Sequence, residues 1–109
     1  MELPHADLAV VPPEKITQYL LNDAHPEGKT KAAFFRRLGF RPENPQILEA
    51  ELLHLARMAD MKEMPFAFGL KYVGTGLIDC PDGRQVEIVT VWALRFGQPP
   101  PYLVTAYPA

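Results

Sequence analysis

Apolar positions along the chain recur first at helical spacing and then, in the C-terminal half, at strand spacing. Residues 3–11 read as an extended segment that stops at Pro12-Pro13. Pro13 suits the first turn of a helix, where a missing N–H costs little, and Ile16, Tyr19 and Leu20 then recur at core spacing to about Leu21. Residues 22–28 carry loop signals. Thr30 is a candidate N-cap for a second helix, Lys31 to Leu38, with Phe34, Phe35 and Leu38 on one face and Gly39 as its left-handed C-cap. Asn44-Pro45 repeats the start signal and opens a third helix, reaching about Asp60 on a stripe of Leu48, Leu52, Leu55, Ala56 and Ala59.

Beyond Pro65 the period changes. Residues 68–79 read as a strand weakened by Gly69, Gly74 and Gly76, and Pro81-Asp82-Gly83 as a turn in which proline presets φ and glycine accepts positive φ. Val86, Ile88, Thr90, Trp92, Leu94 and Phe96 then alternate with Glu87, Val89, Val91, Ala93 and Arg95, the clearest strand in the chain. Gly97 to Pro101 turns it into a last strand, Tyr102 to Tyr107. Short connections make these strands antiparallel, and the lack of β-α-β alternation excludes a Rossmann-type parallel sheet. The expected fold is α+β in one domain over 1–109: helices at about 13–21, 31–38 and 45–60 packed on an antiparallel sheet of three to four strands at about 68–107. Val89, Val91 and Ala93 make the second face of the central strand apolar as well, so that face needs cover from a helix or another chain.

Composition narrows the chemistry. The apolar fraction of 48% and charged fraction of 22% are those of a globular chain. No apolar run approaches the ~20 residues that span a bilayer. The first residues carry no basic leader, and the one cysteine, Cys80, has no internal disulfide partner, so a reduced, cytoplasmic setting is expected. The chain has no serine, which removes a Ser-His-Asp hydrolase. Gly28-Lys29-Thr30 resembles the end of a phosphate-binding Walker loop, but Asp23 stands where that loop needs its first glycine. His5, His25 and His54 lack metal-ligand spacing, so neither metal nor cofactor is expected.

Charge is unevenly spread. Lys29, Lys31, Arg36, Arg37 and Arg41 against Glu27 give a local +4, which leaves −6 elsewhere for the net of −2. A helix N-terminus flanked by Gly28, Lys29 and Lys31 suits a phosphate, although the same cations also suit the solvated face of an amphipathic helix. His25 lies beside it in a proline-containing loop and is a candidate proton-transfer group.

Four short stretches carry a resemblance. Residues Asn22 to Phe35 with Leu38-Gly39-Phe40, the opening Leu3-Pro4-His5-Ala6, and the ending Pro101-Tyr102-Leu103-Val104-Thr105-Ala106-Tyr107-Pro108 together resemble an uncharacterised family of small bacterial domains, DUF6883. The ending is also similar to the last strand of the barnase/EndoU/colicin/RelE-like group of metal-independent ribonuclease toxins. That resemblance implies a toxin–antitoxin type ribonuclease in which His25 is the acid or base. Lys31, Thr90 and Thr105 would stabilise the phosphate, Lys29 and Arg37 would bind the backbone, and Trp92 or Tyr107 would stack a base. It implies an RNA substrate and a small antitoxin- or immunity-like protein partner, or else a homodimer. The alternative is a non-catalytic protein-binding module of the same fold. One count bears on the site: if Phe96 pairs with Tyr102, Thr90 and Thr105 point to opposite faces of the sheet unless a bulge or one-residue slip intervenes.

Overall fold

In a computed structural model, which describes residues 1–22, 24 and 29–109, helices come first and a four-stranded sheet follows. A 3-10 turn (Ala6–Leu8) precedes the short helix α1 (Pro13–Lys15), which continues as a π-helical turn (Ile16–Leu20). Helix α2 (Lys29–Arg37) and helix α3 (Pro45–Met58) follow. Strands β1 (Met61–Phe66), β2 (Gly69–Asp79), β3 (Gln85–Arg95) and β4 (Tyr102–Pro108) form one antiparallel sheet in sequence order. The expected α+β architecture is therefore present, with four strands.

Local chemistry explains most boundaries. Proline opens α1 and α3. Gly39 (φ +100°) ends the helical run of α2, with Phe40 N–H donating to Phe35 O and Gly39 N–H to Arg36 O, the paired bonds of a Schellman cap. Three boundaries differ from the sequence reading. Helix α2 starts at Lys29, so Thr30 lies within its first turn and is not the cap. The first helix widens into a π turn instead of continuing as α-helix to Leu21. Helix α3 stops at Met58, and residues 61–66 form a strand that periodicity did not reveal. On that edge strand only Met61 is buried, so no alternation is needed, and Lys62 and Pro65 suit an unpaired edge.

Helix-facing residues of the sheet include Tyr72, Ile78, Ile88, Thr90, Trp92, Leu94, Leu103 and Ala106, all at 3% exposure or less. They pack against Ile16, Leu20, Phe35, Leu48, Leu52 and Leu55 in one continuous core. Gly76 makes room for helix α3 against the sheet: a Cβ there would stand 2.5 Å from Leu55 Cδ2. The other face carries Val73, Val89, Val91, Ala93, Thr105 and Tyr107. In the register Val91 lies between Val73 and Thr105, and Ala93 between Lys71 and Tyr102, so neighbours on the sheet itself bury both.

The last hairpin decides where β4 points its side chains. Pairing begins at Ala93↔Tyr102, three residues short of the expected Phe96↔Tyr102, because Pro99, Pro100 and Pro101 have no N–H to extend the ladder. A bulge then leaves Val104 unpaired, so that Thr105 stands opposite Val91 and Ala106 opposite Thr90. The odd shift and the bulge each exchange the faces, and the two exchanges cancel. Thr90 and Thr105 therefore still point in opposite directions.

Candidate functional site

The candidate site gathers where the π turn, the first turn of α2 and the edge strand β4 meet. Tyr19 sits on the π turn, whose neighbours Ile16 and Leu20 are anchored in the core. Such turns are uncommon and recur at functional positions. Lys31 reaches round the edge of β4, and its Nζ donates to Tyr19 Oη at 2.6 Å and to Thr105 Oγ1 at 2.9 Å. The same ammonium lies 5.0 Å from the Tyr19 ring centroid and 6.0 Å from that of Tyr107, while Lys15 Nζ lies 5.3 Å from the Tyr19 centroid. Tyr19, Lys31, Thr105 and Tyr107 are all half-buried.

Among the described residues the charged groups at the cluster are the cations Lys15 and Lys31. Among the described residues Lys31 forms no ion pair with a carboxylate; its recorded hydrogen bonds go to two hydroxyl oxygens. Burial would raise the Tyr19 phenol. Hydrogen bonds from Lys31 and Thr105, with the charges of Lys31 and Lys15, outweigh that and hold it below the ordinary tyrosine value. A half-buried cation and a phenol biased toward its anion, beside an aromatic face, can accept an anionic ligand and exchange a proton with it.

Several expected site residues are elsewhere. Thr90 is fully buried and accepts a hydrogen bond from Trp92 Nε1 at 3.0 Å. Trp92 is itself 0% exposed, so it has no face on which a base could stack, and Thr90 no surface for a phosphate. Both are core residues, a correction to their expected roles. Lys29 and Arg37 are exposed on α2. His25 lies outside the described residues.

The basic segment also divides by role. Arg36 Nε donates to Leu21 O, and Arg41 Nη1 to the Arg36 and Phe40 carbonyls, so these two cations satisfy backbone at chain turns. Of the five cations, the cluster takes Lys31. Sequence reasoning missed Tyr19 because its spacing with Ile16 and Leu20 marks a core residue. The available signal was Lys15 four positions earlier, which on a helical turn brings an ammonium to the ring.

Among the described residues no group of three or more histidine, cysteine, aspartate or glutamate side chains is placed to hold a metal ion, and no helix is long and apolar enough to cross a membrane.

The class that fold and site define is an α+β domain with helices N-terminal and a cationic Lys–Tyr–Thr cluster on its edge strand. The chain belongs to the DUF6883 family, a domain of unknown function, whose model matches residues 2–109. No curated protein matches the chain, and no solved structure does.

Proposed function

We propose that the domain is a toxin-like endoribonuclease that needs no metal, with Tyr19, Lys31 and Thr105 at its reacting centre. The observation that carries this reading is the Lys31 ammonium shared between two hydroxyls, with no carboxylate paired to it among the described residues. RNA brings its own nucleophile, so the protein has to move protons and stabilise charge. The Tyr19 phenolate takes the proton of the 2′-hydroxyl, and the 2′-oxygen attacks the adjacent phosphorus. Lys31 and the Thr105 hydroxyl donate to the non-bridging oxygens as charge develops there. The P–O5′ bond breaks, and the leaving oxygen takes a proton from solvent or from a second acid. The products are a 2′,3′-cyclic phosphate and a 5′-hydroxyl. Tyr107 offers an aromatic face beside Lys31 for a neighbouring base.

In this reading the partner is a small antitoxin- or immunity-type protein and the setting is cytoplasmic. The test is cleavage of a fluorescently labelled RNA by purified protein. Tyr19→Phe and Lys31→Met are each expected to lower the rate by about 10²-fold or more, the scale of a positioned acid or base. A His25→Ala variant tests separately whether the loop histidine is the second acid. Wild-type protein that leaves RNA intact under every condition, or a Tyr19→Phe variant that cleaves normally, would overturn the proposal.

A further inference from the structure

At the start of β4, three residues before Thr105, the β3–β4 connection borders an open groove of about 540 Å³ whose lining includes Val10, Arg95, Phe96, Gln98, Pro99 and Tyr102. A smaller hollow that shares Arg95 and Phe96 with it extends to Phe68 on the β1–β2 turn. The strip is apolar yet open to water: Phe96 is 76% exposed, Phe68 60% and Val10 41%. Aromatic rings left in solvent beside a concave surface are the anchors that protein interfaces use. Phe96 adds a second observation. It holds φ +54°, a backbone state that a bulky residue seldom adopts and that asparagine tolerates better. The fold thus keeps an aromatic side chain in water at a position poorly suited to it.

Arg95 is the one lining residue of the groove that carries a formal charge at neutral pH. Its Nε donates to Tyr102 Oη at 2.8 Å and its guanidinium lies 5.1 Å from that ring centroid, while no carboxylate pairs with it among the described residues. A guanidinium has five N–H donors in a fixed fork, and most here remain available to a planar anion. Pro99 and Pro100 in the groove wall offer no backbone N–H and the Gln98 N–H is already donated to Arg95 O, so recognition rests on side chains.

We infer that this groove docks a segment of another protein that inserts an apolar side chain between Phe96 and Tyr102 and presents a carboxylate to Arg95. Charge complementarity sets the acidic requirement. The length of the strip from Val10 past Phe96 to Phe68 favours a peptide over a compact small molecule. The inference stands apart from the ribonuclease reading, because it uses none of Tyr19, Lys31 or Thr105.

The experiment titrates the ¹⁵N-labelled full chain with an acetylated hexapeptide alternating leucine and aspartate, followed by amide shifts. Saturable shifts confined to residues around Phe96 and Tyr102 are expected. Exchanging aspartate for lysine in the peptide, or Arg95→Glu in the protein, should weaken binding at least tenfold. Phe96→Asn suits the backbone better, so it should fold normally, confirmed by an unchanged melting temperature, and still lose binding. Equal binding of the lysine peptide would overturn the inference. So would phenylacetate binding as tightly as the peptide, or shifts at these residues that depend on protein concentration alone, which would mean a second copy occupies the groove.

Discussion

Replacing Thr90 by valine separates a core role from a catalytic one. The swap keeps side-chain shape but removes the oxygen that accepts the Trp92 indole N–H at 3.0 Å, in a site where both residues are 0% exposed. An indole N–H left without a partner in the core costs about 1–3 kcal/mol. The added methyl returns about 0.8 kcal/mol of burial, which leaves a net loss of about 1 kcal/mol at the middle of that range. For a chain of this size that lowers the melting temperature by about 4–8 °C. The assay is urea denaturation followed by circular dichroism, run as a double-mutant cycle with Trp92→Phe. In that background no indole N–H remains to be orphaned, and the cost of Thr90→Val should shrink by about 1 kcal/mol or more. RNA cleavage by folded Thr90→Val should match wild type. A variant as stable as wild type, or a cycle additive within about 0.3–0.5 kcal/mol, would refute the coupling; selective loss of cleavage at full stability would return Thr90 to the reacting centre.

Two further outcomes follow from the same contacts. Lys31→Met should move the Tyr19 phenol upward, since it removes a hydrogen bond and a charge that lower it. In tyrosinate absorbance titrations, wild-type Tyr19 should ionise below the ordinary value and Tyr72, raised by burial and by Glu63, above it. The variant should lose the early phase, and the rising limb of any cleavage–pH profile should shift to higher pH with it. An early phase unchanged in Lys31→Met would show that another group lowers Tyr19. Gly76→Ala places a Cβ 2.5 Å from Leu55 Cδ2, under a helix held against the sheet. Overpacking there should cost about 1–3 kcal/mol in denaturant midpoint, and Leu55→Val in the same chain should recover part of it.

Much of this arrangement was legible because each signal had a local cause. Proline at α1 and α3, Gly39 at the cap and the alternation of β3 all act within a few residues of where they are read. Edge strand β1 has no such signature, because a strand solvated on nearly all its side chains needs no periodic pattern. Trp92 and Thr90 misled for a related reason. A hydroxyl and an indole look like functional groups in a sequence, but in the core they satisfy each other, and only the fold reveals that pairing. Lys31 and Thr105 were legible as types suited to a phosphate and Tyr107 as one suited to a base, whereas Tyr19 was concealed by its helical spacing with Ile16 and Leu20.

The decisive quantity was a parity. Whether Thr105 joins Thr90 or faces away from it depends on the hairpin shift and the bulge taken together, and each alone reverses the answer. Proline at three successive positions explains the early end of the ladder, but nothing in the residues around Val104 announces the bulge. Thr105 consequently faces away from the core, where the edge position of β4 lets Lys31 reach it from α2 and Tyr19 join from the π turn. The cluster is thus assembled across three elements by one unpaired residue, and its chemistry comes from side chains that neighbour each other only after that residue has been placed.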